Sequence, residues 1–240
     1  MRAVRTAAIL LAGGAGTRLH PSENKVYLPV ADRPLLTWSL RTLETSPLVD
    51  DIVLVIRAAD AGRARRVVAA NPSVKLRALV EGGAIRHASE QAGLDALAPE
   101  IESGDVGLVV IHDAARPFVS HGLLARVVRT ARAVGGAIPG LPLEAGVCTA
   151  GDAQRAVPVS NEDLRRVQTP QAFRAGELLA AYRAAAAAGF HGVDTAESVE
   201  RFSDLEVRVV DGDPRNLKVT FVEDLFTIEE LAATWSPTIE

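Results

Sequence analysis

The sequence predicts an α/β protein built as a single doubly wound, mostly parallel sheet. Five runs are read as strands, short and largely apolar without sustained polar alternation: AAILLA (7–12), DIVLVI (51–56), KLRALV (75–80), GLVVIH (107–112) and GGAIPGL (135–141). Segments of helical period lie between them, at about 35–45, 60–70, 85–98 and 121–134. Strands that are apolar on both faces need cover on both faces, and alternating strands and helices supply it.

Each later element follows from a change in pattern. From 142 to 172 the spacing no longer fits a strand–helix unit, and turn residues in AGDA sit between two short runs that pair as a hairpin. That stretch is predicted to be a protruding β-arm on one domain spanning 1–240, with a loose surface loop as the competing reading. Helical period returns at 175–189, where Gly189 ends an alanine-rich run as a C-cap, and at 194–203. A strand at 205–210, a turn at DGDPRN and a last helix over 222–234 complete the chain.

Composition excludes several classes. The 240 residues carry 26 Lys and Arg against 30 Asp and Glu, a net charge of −4, so the basic footprint of a nucleic-acid binder is missing. Cys148 is the only cysteine, which rules out an internal disulfide or a Cys-based zinc site. The run Ala7 to Ala12 is far too short to span a bilayer and lacks the pattern of a signal peptide. The expected setting is cytoplasmic, with no membrane and no nucleic acid as partner.

Doubly wound sheets bind ligands beyond the carboxyl ends of their strands, at the point where strand order reverses. The segments to search are therefore 13–18, EGGAIRHAS (81–89) and HDAARP (112–117). The first lies in LAGGAGTRLHPSENK, residues 11–25. As a dinucleotide fingerprint it supplies Gly14 and Gly16 but puts Leu19 where a third small residue is required. Arg57, after the second strand, keeps an NADP reading open by offering a cation to a 2′-phosphate. As a P-loop it lacks Gly-Lys-Ser or Gly-Lys-Thr after Gly16. The third possibility is a triphosphate cradle, in which glycine amides approach the phosphates while Arg18 and Lys25 add fixed charge. A tight turn with two solvated cations competes with it.

Asp113 directly follows the fourth strand, where a carboxylate holds a Mg²⁺ bridging phosphate oxygens or else caps the next loop. Arg116 either meets a second substrate's phosphate or forms a surface ion pair. His112 is read as structural, because a phosphate nucleophile is already ionised and needs no base.

Together these motifs resemble a known family. LAGGAGTRL followed by Lys25, GG-x-x-R-x-x-S at Gly82 to Ser89, HDAARP, QTPQ-x-F at 168–173, LKVT at 217–220 and EDL at 223–225 keep a fixed order over nearly the whole chain. They resemble the glycosyltransferase-A-like nucleotidyltransferases, and among these the 2-C-methyl-D-erythritol 4-phosphate cytidylyltransferase family. The resemblance implies a Rossmann-like nucleotidyltransferase fold. It implies transfer of CMP from CTP to an alcohol-linked phosphate in isoprenoid precursor synthesis, with release of pyrophosphate and Mg²⁺ as cofactor. Arg18 and Lys25 are then catalytic. Ala12, Gly13, Gly14, Gly16 and Lys218 hold the phosphates, and Gly83 and Ser89 read the cytosine. Asp113 is the metal ligand.

On the acceptor side the resemblance implies Arg116 and Asp194, with the arm supplied by the second subunit of a homodimer. Here the sequence departs from the family. Ala145-Gly146 stand for an Asp-Thr pair, Asn161 for an arginine and Val193 for a threonine. Arg165 or Arg166 is expected to compensate if the acceptor is methylerythritol phosphate. Otherwise the chain is a paralogue acting on another polyol phosphate or phosphonate. A non-catalytic nucleotide binder and an NADP-dependent oxidoreductase remain as other classes.

Overall fold

The computed structural model describes residues 4–14, 24–144, 147–150, 156–160 and 162–237. Strand β1 (Arg5–Leu11) enters the molecule as six consecutive buried residues after Arg5. A two-residue hairpin of β2 (Pro29–Val30) and β3 (Arg33–Pro34) leads into α1 (Leu35–Thr45). Then come β4 (Asp51–Ile56), α2 (Ala61–Ala70), β5 (Leu76–Glu81), α3 (Arg86–Glu102) and β6 (Val106–Asp113). They are followed by α4 (His121–Val134) and β7 (Gly135–Pro142).

The segment expected to be an arm divides. β8 (Val147–Ala150) and β9 (Ala156–Val159) pair antiparallel as a separate ribbon, as the hairpin reading expects. β10 (Arg165–Val167) and β11 (Gln171–Arg174) instead rejoin the main sheet, so the excursion ends before the boundary at 172 drawn from sequence. β11 is four residues long, too short to show a period, and its buried Ala172 and Phe173 are held by neighbours far away in the chain. The chain closes with α5 (Ala175–Ala187), α6 (Thr195–Phe202), β12 (Glu206–Asp211) and α7 (Val222–Thr234).

The main sheet runs β12–β7–β11–β6–β1–β4–β5, with β10 extending the β11 side of β7. β1, β4, β5 and β6 are parallel, and β12 is parallel to β7. β11 runs antiparallel between β6 and β7, and β10 is antiparallel to β7. From β1 the chain moves outward to β4 and β5, then returns to place β6 on the other side of β1. The reversal therefore lies between the carboxyl ends of β1 and β6.

Alternate residues of each strand face opposite layers. Ala8 and Leu10 of β1 join Ile52, Leu54 and Val110 under α1, α2 and α4. Ile9 and Leu11 join Val53, Val55, Val109 and Ile111 under α3, α5 and α6. A smaller cluster around Phe118 seats α7 against Val30 and Leu35. Among the described residues no helix is long and apolar enough to cross a membrane.

Helix α3 lies unusually close to the sheet. A Cβ built on Gly93 would stand 2.6 Å from Ile9 Cγ2 and 3.2 Å from Val55 Cγ2, both on fully buried side chains. Gly93→Val should therefore lower unfolding free energy by about 1–3 kcal/mol through overpacking. Urea denaturation checks this, and a wild-type midpoint would show that α3 can move off the strands.

Candidate active site

A cavity of about 580 Å³ opens at the reversal point, beyond β1 and β6. Its first wall is the Gly-rich turn. Ala12 N donates to Val55 O at 2.7 Å, and the Ala12 carbonyl accepts from Asn24 Nδ2 at 2.8 Å. Asn24 thus ties the chain leaving the loop to the chain entering it, and its amide also donates to Asp60. Asn24 caps the short 3₁₀ turn Lys25–Tyr27, which delivers Lys25 to the cavity wall beside Gly13 and Gly14. Arg18 and Gly16 lie outside the described residues. Arg57 borders the same cavity, but its guanidinium engages Asp60 through Nε at 2.6 Å and Nη2 at 3.0 Å. The cation on which an NADP reading relied is already matched.

The second wall is the β5–α3 turn. Ser89 Oγ donates toward the carbonyls of Gly83 and Ile85, at 3.3 and 3.1 Å. A Cβ on Gly83 would come within 2.4 Å of Ala88 Cβ, so this turn folds onto the first turn of α3 only with glycine there. Gly83 and Ser89 both line the cavity.

Asp113 stands at the base, at the end of β6. Lys218 Nζ donates to its Oδ2 at 2.7 Å, and Arg86 Nε approaches Oδ1 at 3.4 Å. Burial by itself would raise this carboxyl's pKa. The charges of Arg86 and Lys218, the Lys218 hydrogen bond and the charge of Arg116 override it and hold Asp113 well below the usual carboxylate range. The group is a fixed anion at neutral pH. Arg86 is expected from sequence only as a letter in GG-x-x-R-x-x-S. Its partnership with Asp113 spans 27 positions, which no local pattern reveals. Thr220 also borders the cavity and was likewise not singled out from sequence.

The remaining expected residues sit elsewhere. Ala12 lies at the root of the loop and does not line the cavity. Arg116 is partly buried; Nη1 donates to Asn216 O at 2.9 Å and Nη2 toward Val167 O at 3.4 Å, and the buried Nε has no hydrogen-bond partner. Desolvation lowers its pKa, and Arg86 and Arg166 add to that while Asp113 opposes it. Arg165 is exposed and bonds the carbonyls of Glu162 and Leu164 in its own loop. Asp194 caps α6 by accepting from Ala196 N and also accepts from Gln171 Nε2. Val193 is 85 % exposed. Ala145, Gly146 and Asn161 lie outside the described residues.

HDAARP and QTPQ form one hydrogen-bonded relay. Asp113 N–H donates to Thr169 Oγ1 at 3.0 Å, Thr169 Oγ1 lies 3.0 Å from His112 Nδ1, and His112 Nε2 lies 3.1 Å from Arg116 O. The Arg116 carbonyl can only accept, so Nε2 carries the proton and Nδ1 accepts from the Thr169 hydroxyl. Asn216 Nδ2 reaches Thr169 O, and Gln168 Nε2 reaches the carbonyls of Asp213 and Asn216. These contacts draw the loop before Lys218 against the end of β6.

An open doubly wound sheet with a glycine turn, converging cations and one fixed carboxylate at its reversal point defines a nucleotidyltransferase. Comparison with known proteins narrows the class. Residues 6–233 match the family model described as IspD: 2-C-methyl-D-erythritol 4-phosphate cytidylyltransferase. Proteins of that name from Geobacter metallireducens and Geobacillus kaustophilus are 40% and 37% identical, over 92% and 95% of this chain and 95% and 96% of their own. The crystal structure of 4-diphosphocytidyl-2C-methyl-D-erythritol synthase from Anaerococcus prevotii superposes with a TM-score of 0.82 at 29% identity, covering 95% of this chain and 96% of that one. The Thermus thermophilus 2-C-methyl-D-erythritol 4-phosphate cytidylyltransferase gives 0.71 at 29% identity, over 94% and 98%. The chain belongs to the 2-C-methyl-D-erythritol 4-phosphate cytidylyltransferase family.

His112 gives this site a pH signature. Full burial depresses its pKa to about 4, from an ordinary value near 6.5. As pH falls below about 6.5 the unfolded chain takes up the proton first, so the stability present at neutral pH is lost progressively toward pH 4. Between pH 7 and pH 5 this removes about 2 kcal/mol. His112→Gln should shrink the pH 7-to-5 stability difference by that order, measured by urea unfolding at both values. An unchanged difference would show that His112 is not buried neutral.

Proposed function

We propose that this chain transfers CMP from CTP to 2-C-methyl-D-erythritol 4-phosphate and releases pyrophosphate. The observation that carries this is the grouping of Gly13, Gly14, Lys25, Ser89, Asp113 and Lys218 around one cavity, in a chain of this family. An acceptor phosphate oxygen attacks the α-phosphorus of CTP. The bond from that phosphorus to the bridging oxygen breaks, and pyrophosphate leaves with the electron pair. The nucleophile is already ionised, so the protein's work is positioning and charge neutralisation.

Lys25 and Arg18 are assigned to the charge that grows on the transferring and departing phosphates, and Lys218 to the same cluster. The glycine amides at 13 and 14, rooted at Ala12, are assigned to the phosphates, and Gly16, outside the described residues, is assigned with them. Gly83 and Ser89 are assigned to the cytosine edge, whose donors and acceptors need matched partners for selectivity.

Asp113 is the residue suited to Mg²⁺. Among the described residues no group of three or more His, Cys, Asp and Glu forms a protein cage. Mg²⁺ is instead commonly held by one or two carboxylates together with substrate phosphates, and Asp113 is an ionised carboxylate at the cavity base. Bound there, Mg²⁺ would supply neutralisation across the phosphate oxygens.

Arg116 is assigned to the acceptor phosphate, because its partly buried guanidinium is fixed by carbonyls and has an Nε with no hydrogen-bond partner. Asp194 and Arg165 are assigned to the acceptor side with it. The excursion between β7 and β10 is read as an arm that completes the site of a second copy in a homodimer. The departures at Ala145, Gly146, Asn161 and Val193 favour a second reading, a paralogue of the same chemistry with a different polyol phosphate or phosphonate.

Pyrophosphate release with CTP, Mg²⁺ and a panel of acceptors tests both. Release with methylerythritol phosphate supports the first reading, and release only with another acceptor replaces it by the second. Lys25→Ala should lower kcat by about 10²- to 10³-fold, as expected for losing a cation at developing charge. Near-normal turnover in that variant would remove Lys25 from the mechanism.

A further inference from the structure

Beneath the cavity lies a buried carboxylate that the chemistry above does not use. Glu90 is 1 % exposed and does not line the cavity. It accepts from Tyr182 Oη at 2.6 Å and from Thr195 Oγ1 at 2.5 Å, and pairs with Arg86 Nη1 at 2.6 Å. Its partners come from α5, α6 and its own helix α3. Arg86 does line the cavity, and its other end reaches Asp113 at the longer distance of 3.4 Å. Nη1 of Arg86 also lies 3.3 Å from Thr195 Oγ1.

One guanidinium is thus shared between two carboxylates, and the shorter contact goes to the one outside the cavity. A partly buried cation that loses one of two anions turns toward the other, because half-matching it away from bulk water is costly. Without Glu90, Arg86 would close onto Asp113 Oδ1, which it now meets only at 3.4 Å, and with Lys218 already on Oδ2 both oxygens would be taken. We propose that Glu90 is a positioning residue for the nucleotide site. It anchors Arg86, with Tyr182 and Thr195, so that Arg86 adds only one long contact to Asp113 beside the Lys218 bond and leaves Oδ1 directed into the cavity.

The cost of keeping a carboxyl group at this depth supports a task for it. Burial pushes the Glu90 pKa up to about 7, against the pull of Arg86 and the two hydroxyls. An apolar residue would fill the same space without that penalty.

The inference rests on the cytidylyl-transfer reading, and the two fail differently. Absence of pyrophosphate release by the wild-type protein would overturn that reading, whereas the present proposal is judged on variants and on Arg86 itself. In ¹⁵N-arginine-labelled protein without nucleotide, the Arg86 Nε–H resonance, assigned by its loss in Arg86→Lys, should move in Glu90→Gln. The same variant should lower kcat about tenfold and raise the Mg²⁺ concentration for half-maximal rate about fivefold or more, with a smaller change in KM for CTP. Tyr182→Phe and Thr195→Val should each move both parameters in the same direction, by about two- to threefold.

An unmoved Arg86 resonance would overturn the proposal. So would a rate that falls only in proportion to the folded fraction, with the Mg²⁺ dependence unchanged. Should Glu90→Gln fail to fold, the two hydroxyl variants decide, and wild-type behaviour in both would overturn the proposal.

Discussion

The end of β6 concentrates the molecule's electrostatics. Asp113 meets Lys218 from the loop before α7 and Arg86 from the first turn of α3, and feels Arg116 from its own loop. A carboxylate at the carboxyl end of a buried central strand is tolerable only because those cations surround it. The cations in turn owe their close approach to the anion among them. The loops at the top of the sheet are thereby drawn to one point, although the sheet alone would let each of them diverge.

The relay through Thr169 and His112 performs the complementary task without net charge. It fixes the backbone of Asp113 while the ion pairs fix its side chain. A neutral imidazole suits this place, since a further positive charge beside Arg116 would compete for the same carboxylate. HDAARP and QTPQ are thus two halves of one hydrogen-bonded unit, which gives a physical reason for finding both motifs in one chain.

Much of this was legible in the sequence. The five strands read from apolar runs, the intervening helices and the final strand and helix lie within a few residues of where periodicity puts them, because both signals are local, although the edge strand β5 is only partly buried. The cavity residues at Gly13, Gly14, Lys25, Gly83, Ser89, Asp113 and Lys218 were reachable because each follows a strand or stands in a motif. β11 was not, since four residues have no measurable period and their place depends on β6 and β7. Glu90 was hidden for another reason. Four positions after Arg86 it reads as an ordinary helix-surface pair, and only the arrival of Tyr182 and Thr195 from distant helices buries it.

The antiparallel strand β11 also bears on how the sheet is assembled. It is wedged between β6 and β7, which are complete some thirty residues earlier in the chain and face each other across the gap it fills. A nascent chain that ends within the excursion therefore presents two apolar strand edges, with no partner yet made to cover them. Joining the two halves of the sheet waits for residues 171–174, so the middle closes well after the β1, β4 and β5 side is complete, and only the edge strand β12 is made later.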